Sequence, residues 1–333
     1  MVAQIDKTYV DYGLSRTLRR VISYTLFEGR PLTTKGRWFN PVVFASLRAL
    51  ARLPGQPMVK QPIFITGLGR SGTTILGILL SLHHRVGYLN EPKAIWHLLD
   101  QRQDLNANYS SQGGIYRLRA EEVTPHLRRK AHRMFSRYLA LTGSDRLVDK
   151  YPELIFRIDY IRAIFPDAKC IFITRNGADA VPSVVQWSTR LGVKSGENID
   201  DWWGRNDVKW NYLREQLILS DPAYQKVWTL ATADLDHTNR AALEWIVTMR
   251  EGLEQQRRYP ETVIRVAYEA LLQDPANELV RLQQQCGLIP DPAVVDYAQK
   301  RLYDNPAKKM PSLLPMIGEM FIETMGQLGY KVQ

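Results

Sequence analysis

The sequence predicts an α/β fold in three layers: a central parallel sheet flanked by helices, preceded by an N-terminal helical extension. Three stretches carry that prediction. Ile63-Phe-Ile-Thr66 reads as a short buried strand, Gly67–Thr74 as a glycine-rich turn and Ile75–Leu82 as a strongly apolar helix. Strand, glycine turn and helix in that order open a parallel α/β unit. Lys169-Cys-Ile-Phe-Ile-Thr174 is the clearest strand of the chain, and it too runs into a turn, Arg175-Asn176-Gly177.

The other elements follow in order. Val86–Leu89 is a strand candidate ending at Asn90-Glu91-Pro92. Asp100–Gly114 is polar and reads as a loop, and basic helical sequence covers about Glu121–Leu141. Leu147-Val148 leads to Asp149-Lys150, and Glu153–Phe165 reads as a helix stopped by Pro166. The helix after Arg175 is expected to begin past Asp179, with Pro182 in its first turn, where proline is tolerated. The remainder alternates helices with one further strand, Val263–Val266. No repeat or linker divides the chain, so residues 61–333 are expected to form one domain and residues 1–60 a basic amphipathic extension.

Composition sets the class. The 333 residues carry 44 Lys plus Arg against 34 Asp plus Glu, a net charge of +10, with 45% hydrophobic and 23% charged residues. That excludes a disordered or collagenous chain. Cys170 and Cys286 are too few for a disulfide framework, and no Cys/His cluster of metal-ligand spacing is visible. No stretch approaches the roughly 18 consecutive apolar residues of a membrane span, and Met1–Lys7 lacks the apolar core of a secretory leader. A cytoplasmic location is expected.

Residues 1–60 hold ten basic residues and three acids, hence +7 of the net charge. On a helical wheel Leu14, Leu18, Val21, Ile22 and Leu26 share one arc, with Arg16, Arg19 and Arg20 opposite. This pattern predicts either peripheral contact with the inner membrane surface through residues 13–27 or a helical layer on the domain with solvated arginines.

Two elements carry chemistry. Gly67 and Gly72 have the spacing of the glycines in a P-loop, G-x-x-x-x-G-K-[ST]. Backbone amides of such a loop, at a helix N-terminus, cradle phosphate-like oxygens. The lysine that reaches the β/γ-phosphates of a nucleoside triphosphate is replaced by Thr73. Gly69, Arg70, Ser71, Gly72, Thr73 and Thr74 therefore suit a tetrahedral anion held by amides, hydroxyls and one guanidinium. The second element is Arg175, at the carboxyl end of a strand, where parallel sheets bind ligands. Ser183 follows eight residues later, and the pair suits a second phosphate. A salt bridge from Arg175 to Asp179 is the structural alternative.

With these motifs in this order, the chain resembles the 3′-phosphoadenylyl-sulfate (PAPS)-dependent sulfotransferases. The resemblance spans about Pro62 to Tyr330 and includes Tyr268-Glu269-Ala270-Leu271, Asp274-Pro275 and Leu328-Gly329-Tyr330. It is nearer to the tyrosylprotein, carbohydrate and bacterial branches than to the cytosolic phenol and steroid enzymes, whose loop lysine and catalytic histidine have no counterpart here. The resemblance implies that Gly67–Thr74 binds the 5′-phosphosulfate, that Arg175 and Ser183 bind the 3′-phosphate, and that Tyr268 belongs to the cofactor site. The tyrosylprotein branch has a catalytic glutamate 21 residues beyond the loop arginine, and that position is Glu91. Lys150 matches that branch's lysine near the transferred sulfuryl group. The alternatives are a loop carboxylate on a nearby cation for Glu91 and an ion pair with Asp149 for Lys150.

The implied function is sulfuryl transfer from PAPS to a hydroxyl or amine of a glycan, glycolipid or small natural product, releasing 3′,5′-ADP. Glu91 is then the general base, Arg70 and Lys150 stabilise charge, and no metal or nucleic acid is expected. The polar loop, the basic helix region to Arg137 and Trp202-Trp203…Trp210 are expected to frame the acceptor, with core packing the alternative for Trp203 and Trp210. A P-loop kinase using Mg-ATP and a non-catalytic nucleotide- or nucleic-acid-binding protein are the competing readings.

Overall fold

A computed structural model of the chain describes residues 4–31, 36–53, 58–110, 113–303 and 308–331. Met1–Ala3, Lys35 and residues 111–112 of the polar loop, all used in the sequence reading, lie outside the described residues. Among the described residues the strands are β1 (Ile63–Gly67), β2 (Val86–Asn90), β3 (Arg146–Lys150), β4 (Lys169–Thr174), β5 (Val193–Ser195), β6 (Asn198–Asp201), β7 (Gly204–Arg205) and β8 (Val263–Ala267). Five of them form one parallel sheet of order β2-β3-β1-β4-β8. The expected strands are all in it.

Strand side chains alternate between the two faces, and the burial follows. Ile63, Ile65, Val148, Ile171 and Ile173 join one apolar cluster, while Phe64, Leu147, Cys170 and Phe172 join another. A sheet buried on both faces needs helices on both. The first cluster is covered by α1 (Lys7–Val10) and, after α2 (Leu14–Ile22) and α3 (Asn40–Arg52), by α4 (Thr73–Ser81). The second is covered by α3, α5 (Lys93–Leu99), α6 (Pro125–Thr142), α7 (Ile158–Ile164) and α8 (Gly177–Leu191). Later helices follow suit. After α9 (Val208–Leu213) and α10 (Trp228–Thr232), α11 (His237–Arg258) joins the second face. On the first face lie α12 (Tyr268–Gln273), α13 (Pro275–Gln285) and α14 (Pro292–Arg301), and α15 (Pro315–Leu328) closes the second. No helix among the described residues is long and apolar enough to cross a membrane.

Four expectations need correcting. The stretch 153–165 is not one helix: a 3-10 segment, Pro152–Arg157, precedes α7. The basic helix starts at Pro125, where Thr124 accepts from the Leu127 amide. α8 starts at Gly177 because Asn176 accepts from the Ala178 amide, so Pro182 lies inside the helix and not in its first turn. The ribbon β5-β6-β7, antiparallel and outside the main sheet, was not foreseen. Its strands are two to four residues long, too short to leave a clear alternation.

The N-terminal helix departs from its wheel at its first turns, although Ile22 and Leu26 pack against the core. Leu14 and Leu18 are 70% and 51% exposed, whereas Arg20 is 2% exposed. Its arginines are not solvated: they satisfy groups at the edge of the sheet. Arg16 donates to the Leu82 carbonyl and Arg19 to the carbonyls of His84 and Val86. Arg20 makes a two-point ion pair with Glu28 and lies over the Tyr88 ring. Glu28 in turn accepts the Asn90 amide at 2.7 Å. Buried carbonyls and a buried carboxylate outweigh the apolar arc, because an unpaired buried polar group costs more than an exposed leucine loses.

Candidate active site

The turn after β1 is held open by its glycines. Gly72 has φ +90°, and a Cβ there would overlap the Tyr268 ring; a Cβ at Gly69 would sit 2.6 Å from the Trp202 ring. Gly72 is the N-cap of α4 and supplies no side-chain cap. The first-turn amides of that helix thus lack the acceptor a cap would give. Ser71 is fully buried, and its hydroxyl has no hydrogen-bond partner among the described residues. Donors with no acceptor at a helix N-terminus fit a phosphate-like group.

Arg175 and Ser183 both meet this loop through Arg70. The Arg175 guanidinium donates to the Arg70 carbonyl at 2.7 Å and lies 4.9 Å from the Tyr268 ring centre. Arg70 Nε donates to Ser183 Oγ at 3.3 Å. The alternative pairing of Arg175 with Asp179 is not made: Asp179 accepts from the Lys308 amide. Neither Arg70 nor Arg175 has a carboxylate partner among the described residues, and Arg175 Nε is buried without an acceptor. Burial, then the charges of Arg175 and Arg190, push Arg70 below its ordinary pKa. Arginine stays protonated regardless, so Arg70 remains a cation at the loop. The Tyr268–Glu269 segment earns its place: Glu269 accepts from the Asn176 amide at 2.8 Å and from Tyr330 Oη at 2.8 Å, pinning the turn after Arg175.

Glu91 follows β2 at φ +50°, a left-handed conformation for a non-glycine residue. Its amide donates to the Lys150 carbonyl at 2.7 Å. Its carboxylate lies 2.5 Å from Lys150 Nζ and 3.3 Å from Lys93 Nζ. Burial pushes Glu91 upward, but the two ammonium groups outweigh it and hold the carboxyl down to about 2. Lys150 does not pair with Asp149. That carboxyl accepts from Trp96 Nε1 at 2.8 Å, and its burial raises its pKa well above the usual range.

Glu91, Lys150, Lys93, Arg70, Thr73 and Thr74 line one cavity of about 460 Å³. Arg175, Ser183 and Tyr268 do not line it; Arg175 and Ser183 contact the loop at Arg70, and Tyr268 lies against Arg175. The wall also includes Glu28, Gly29 and Arg30, so the N-terminal layer is part of the site. Sequence reasoning missed another group. Lys209 Nζ pairs with Glu244 at 2.6 Å and approaches Glu153 at 3.7 Å, and Trp202 Nε1 donates to Glu244 at 2.6 Å. A buried acid and lysine on otherwise amphipathic helices were the available signal. Of the expected acceptor frame, Asn106, Asn108 and Trp202 line the cavity. The basic helix does not, and Trp203 and Trp210 pack edge-to-face in the core. Elsewhere His83, His84 and Asp291 bring ligand-type atoms within 4.8 Å of one another. Both His83 nitrogens are engaged, with the Ile289 carbonyl and the Arg85 amide.

Residues 62–218, which hold the loop, Glu91, Lys150, Arg175 and Ser183, match the family model described as "Sulfotransferase family". Over this segment the chain is similar to that family. Among curated relatives, the chain is similar to nodulation protein NoeE of Sinorhizobium fredii, at 30% identity over 118 residues, 34% of this chain and 28% of that protein. It is also similar to protein-tyrosine sulfotransferase A of Caenorhabditis elegans, at 28% identity over 152 residues, 45% of this chain and 38% of that one. The chain thus matches about a third of the length of these relatives. Sulfotransferase STF9 of Mycobacterium avium is a similar solved structure, with 14% identity, a TM-score of 0.48, and coverage of 99% of this chain and 93% of that one.

Proposed function

We propose that this chain transfers the sulfuryl group of PAPS to a hydroxyl or amine of a glycan, glycolipid or small natural product, releasing 3′,5′-ADP. The observation that carries the reading is Glu91, set between Lys150 and Lys93 in the same cavity as Arg70, Thr73 and Thr74. When bound, PAPS supplies the sulfuryl group on a phosphate leaving oxygen. The amides of Gly72, Thr73 and Thr74 and the Ser71 hydroxyl have free donors for the 5′-phosphosulfate, with Gly69 leaving room for close approach. Arg175 and Ser183, with Tyr268 beside them, would hold the 3′-phosphate and so fix the donor's register.

Positioning and charge stabilisation then do most of the work, as in phosphoryl transfer. Glu91 takes the acceptor proton on a carboxylate oxygen. A carboxyl held near 2 is ionised but weakly basic. As Lys150 Nζ turns from Glu91 toward the charge gathering on the leaving oxygen, Glu91 gains basicity when it is needed. Arg70 adds a second positive charge. The Lys209–Glu244–Glu153 cluster sets one ammonium against two carboxylates beside Trp187 and Trp202, a formal net −1 that disfavours an anionic acceptor and supports a neutral hydroxylated one. Glu91→Gln tests the reading: 3′,5′-ADP affinity is expected to stay within about twofold while turnover falls about 10²–10⁴-fold. Turnover that survives overturns the assignment of the base.

A further inference from the structure

One apolar arc of α3 is left exposed among the described residues. Successive residues of a helix turn by about 100°, which divides α3 into three arcs. Val43 and Leu47 are buried in the core, with Phe44, Leu50 and Ala51 packed against it. Val42, Ala45, Ala49 and Leu53 lie together on the opposite, exposed arc, with Val42 47% and Leu53 43% exposed. Trp38, in the turn leading into the helix, is 80% exposed. Arg48 and Arg52 lie along one flank of that arc, and Arg37 precedes it. All three are exposed, and none has an ion-pair partner among the described residues.

The stretch of sequence that carries this face has charge of one sign. Between Glu28 and Glu91 the sequence contains no acidic residue, over 62 positions that hold eight lysines and arginines. A continuous apolar strip edged by arginines, with a tryptophan at one end, is the pattern of a helix lying in a lipid interface. A protein partner of ordinary surface would have to supply its own acids; an anionic lipid surface has them everywhere.

We propose that the chain docks on an anionic lipid surface through the Trp38, Val42, Ala45, Ala49 and Leu53 face of α3. This face is distinct from the 13–27 stretch, where Arg16, Arg19 and Arg20 are turned inward onto Leu82, His84, Val86 and Glu28. The docked orientation has a consequence for access. A surface groove lined by Arg37, Trp38, Phe44, Arg48, His97 and Tyr109 shares Asn108 with the reaction cavity. Seating α3 on lipid brings that groove, and the adjoining cavity, to the membrane surface. The inference stands apart from the reaction proposed above.

Vesicle flotation of the full chain tests it, using phosphatidylcholine alone against phosphatidylcholine mixed with phosphatidylglycerol. The chain is expected to float with the anionic vesicles, and less well as salt is raised. Arg48→Glu with Arg52→Glu should weaken partitioning at least tenfold. Val42→Ser with Leu53→Ser should weaken it comparably, and both pairs should keep the parent melting temperature. Failure of the parent chain to float overturns the proposal, as does partitioning unchanged in both variants. So does a parent dimer in sedimentation that Val42→Ser with Leu53→Ser dissociates, since a second copy would then cover the face.

Discussion

Glu91 and Lys150 meet at 2.5 Å just past the carboxyl ends of two adjacent parallel strands, where Asn90 and Lys150 are in register. Sheet geometry fixes the meeting: the Glu91 amide donates to the Lys150 carbonyl and continues the ladder, and both side chains line the cavity. The pairing holds the proposed base ionised and the proposed cation close to hand.

Lys93 is the handle on that pairing which leaves Lys150 in place. Glu91 has its carboxyl lowered from 4.5 to about 2, so its charge is kept as pH falls and is lost only as pH approaches 2. The parent chain should show no acid limb from Glu91 in kcat/KM above pH 5. Lys93→Met removes one of the two ammonium groups that oppose burial, so the Glu91 pKa rises and an acid limb moves toward neutrality. A pH–rate profile of the two proteins checks this. The same shift makes the Glu91 interaction stabilising above about 4.5 and progressively lost below it.

Asp149 behaves in the opposite sense. Its pKa is raised by burial, so the stability it contributes is present at low pH and declines as pH rises past the ordinary carboxyl range. Asp149→Asn keeps an oxygen for Trp96 Nε1 and cannot ionise. The variant should match the parent in acid and exceed it in urea midpoint at pH 8, read from unfolding curves at the two pH values.

The Arg20–Glu28 pair joins the N-terminal layer to the strand end before Glu91. Arg20→Met leaves a buried carboxylate unpaired, at a cost of about 3–5 kcal/mol. Arg20→Met with Glu28→Gln removes the stranded charge but retains an acceptor for the Asn90 amide, and should recover most of the loss. Denaturant unfolding of the two variants measures the difference.

How much of this was legible varied with the signal each residue leaves. Four of the five sheet strands were read from the sequence, most clearly Ile63–Gly67 and Lys169–Thr174, continuous apolar runs as sheets covered on both faces require; β3, half polar in Arg146, Asp149 and Lys150, was not. The loop, Arg175 and Ser183 read from spacing, and the structure brings all three together at Arg70. Orientation did not read. The wheel of residues 14–26 placed leucines inward, but Arg20 had a buried partner in Glu28, and long-range pairing leaves no local period. The Lys209–Glu244 contact, 35 residues apart in sequence, left an acid and a lysine on amphipathic helices as its signal, with nothing local to pair them. Pro182 misled the start of α8 because a proline permitted in a first turn was outweighed by the Asn176 cap.

The most direct test of the account is calorimetric titration with 3′,5′-ADP, 5′-AMP and ATP, in the presence of EDTA. Arg175 and Ser183 recognise the 3′-phosphate in this account, so 3′,5′-ADP should bind without metal and 5′-AMP should not match it. Arg175→Ala should remove most of that advantage, about tenfold to a hundredfold for a lost charge-assisted contact. Equal affinity for 3′,5′-ADP and 5′-AMP, or binding of ATP that appears only when Mg²⁺ replaces EDTA, would contradict it.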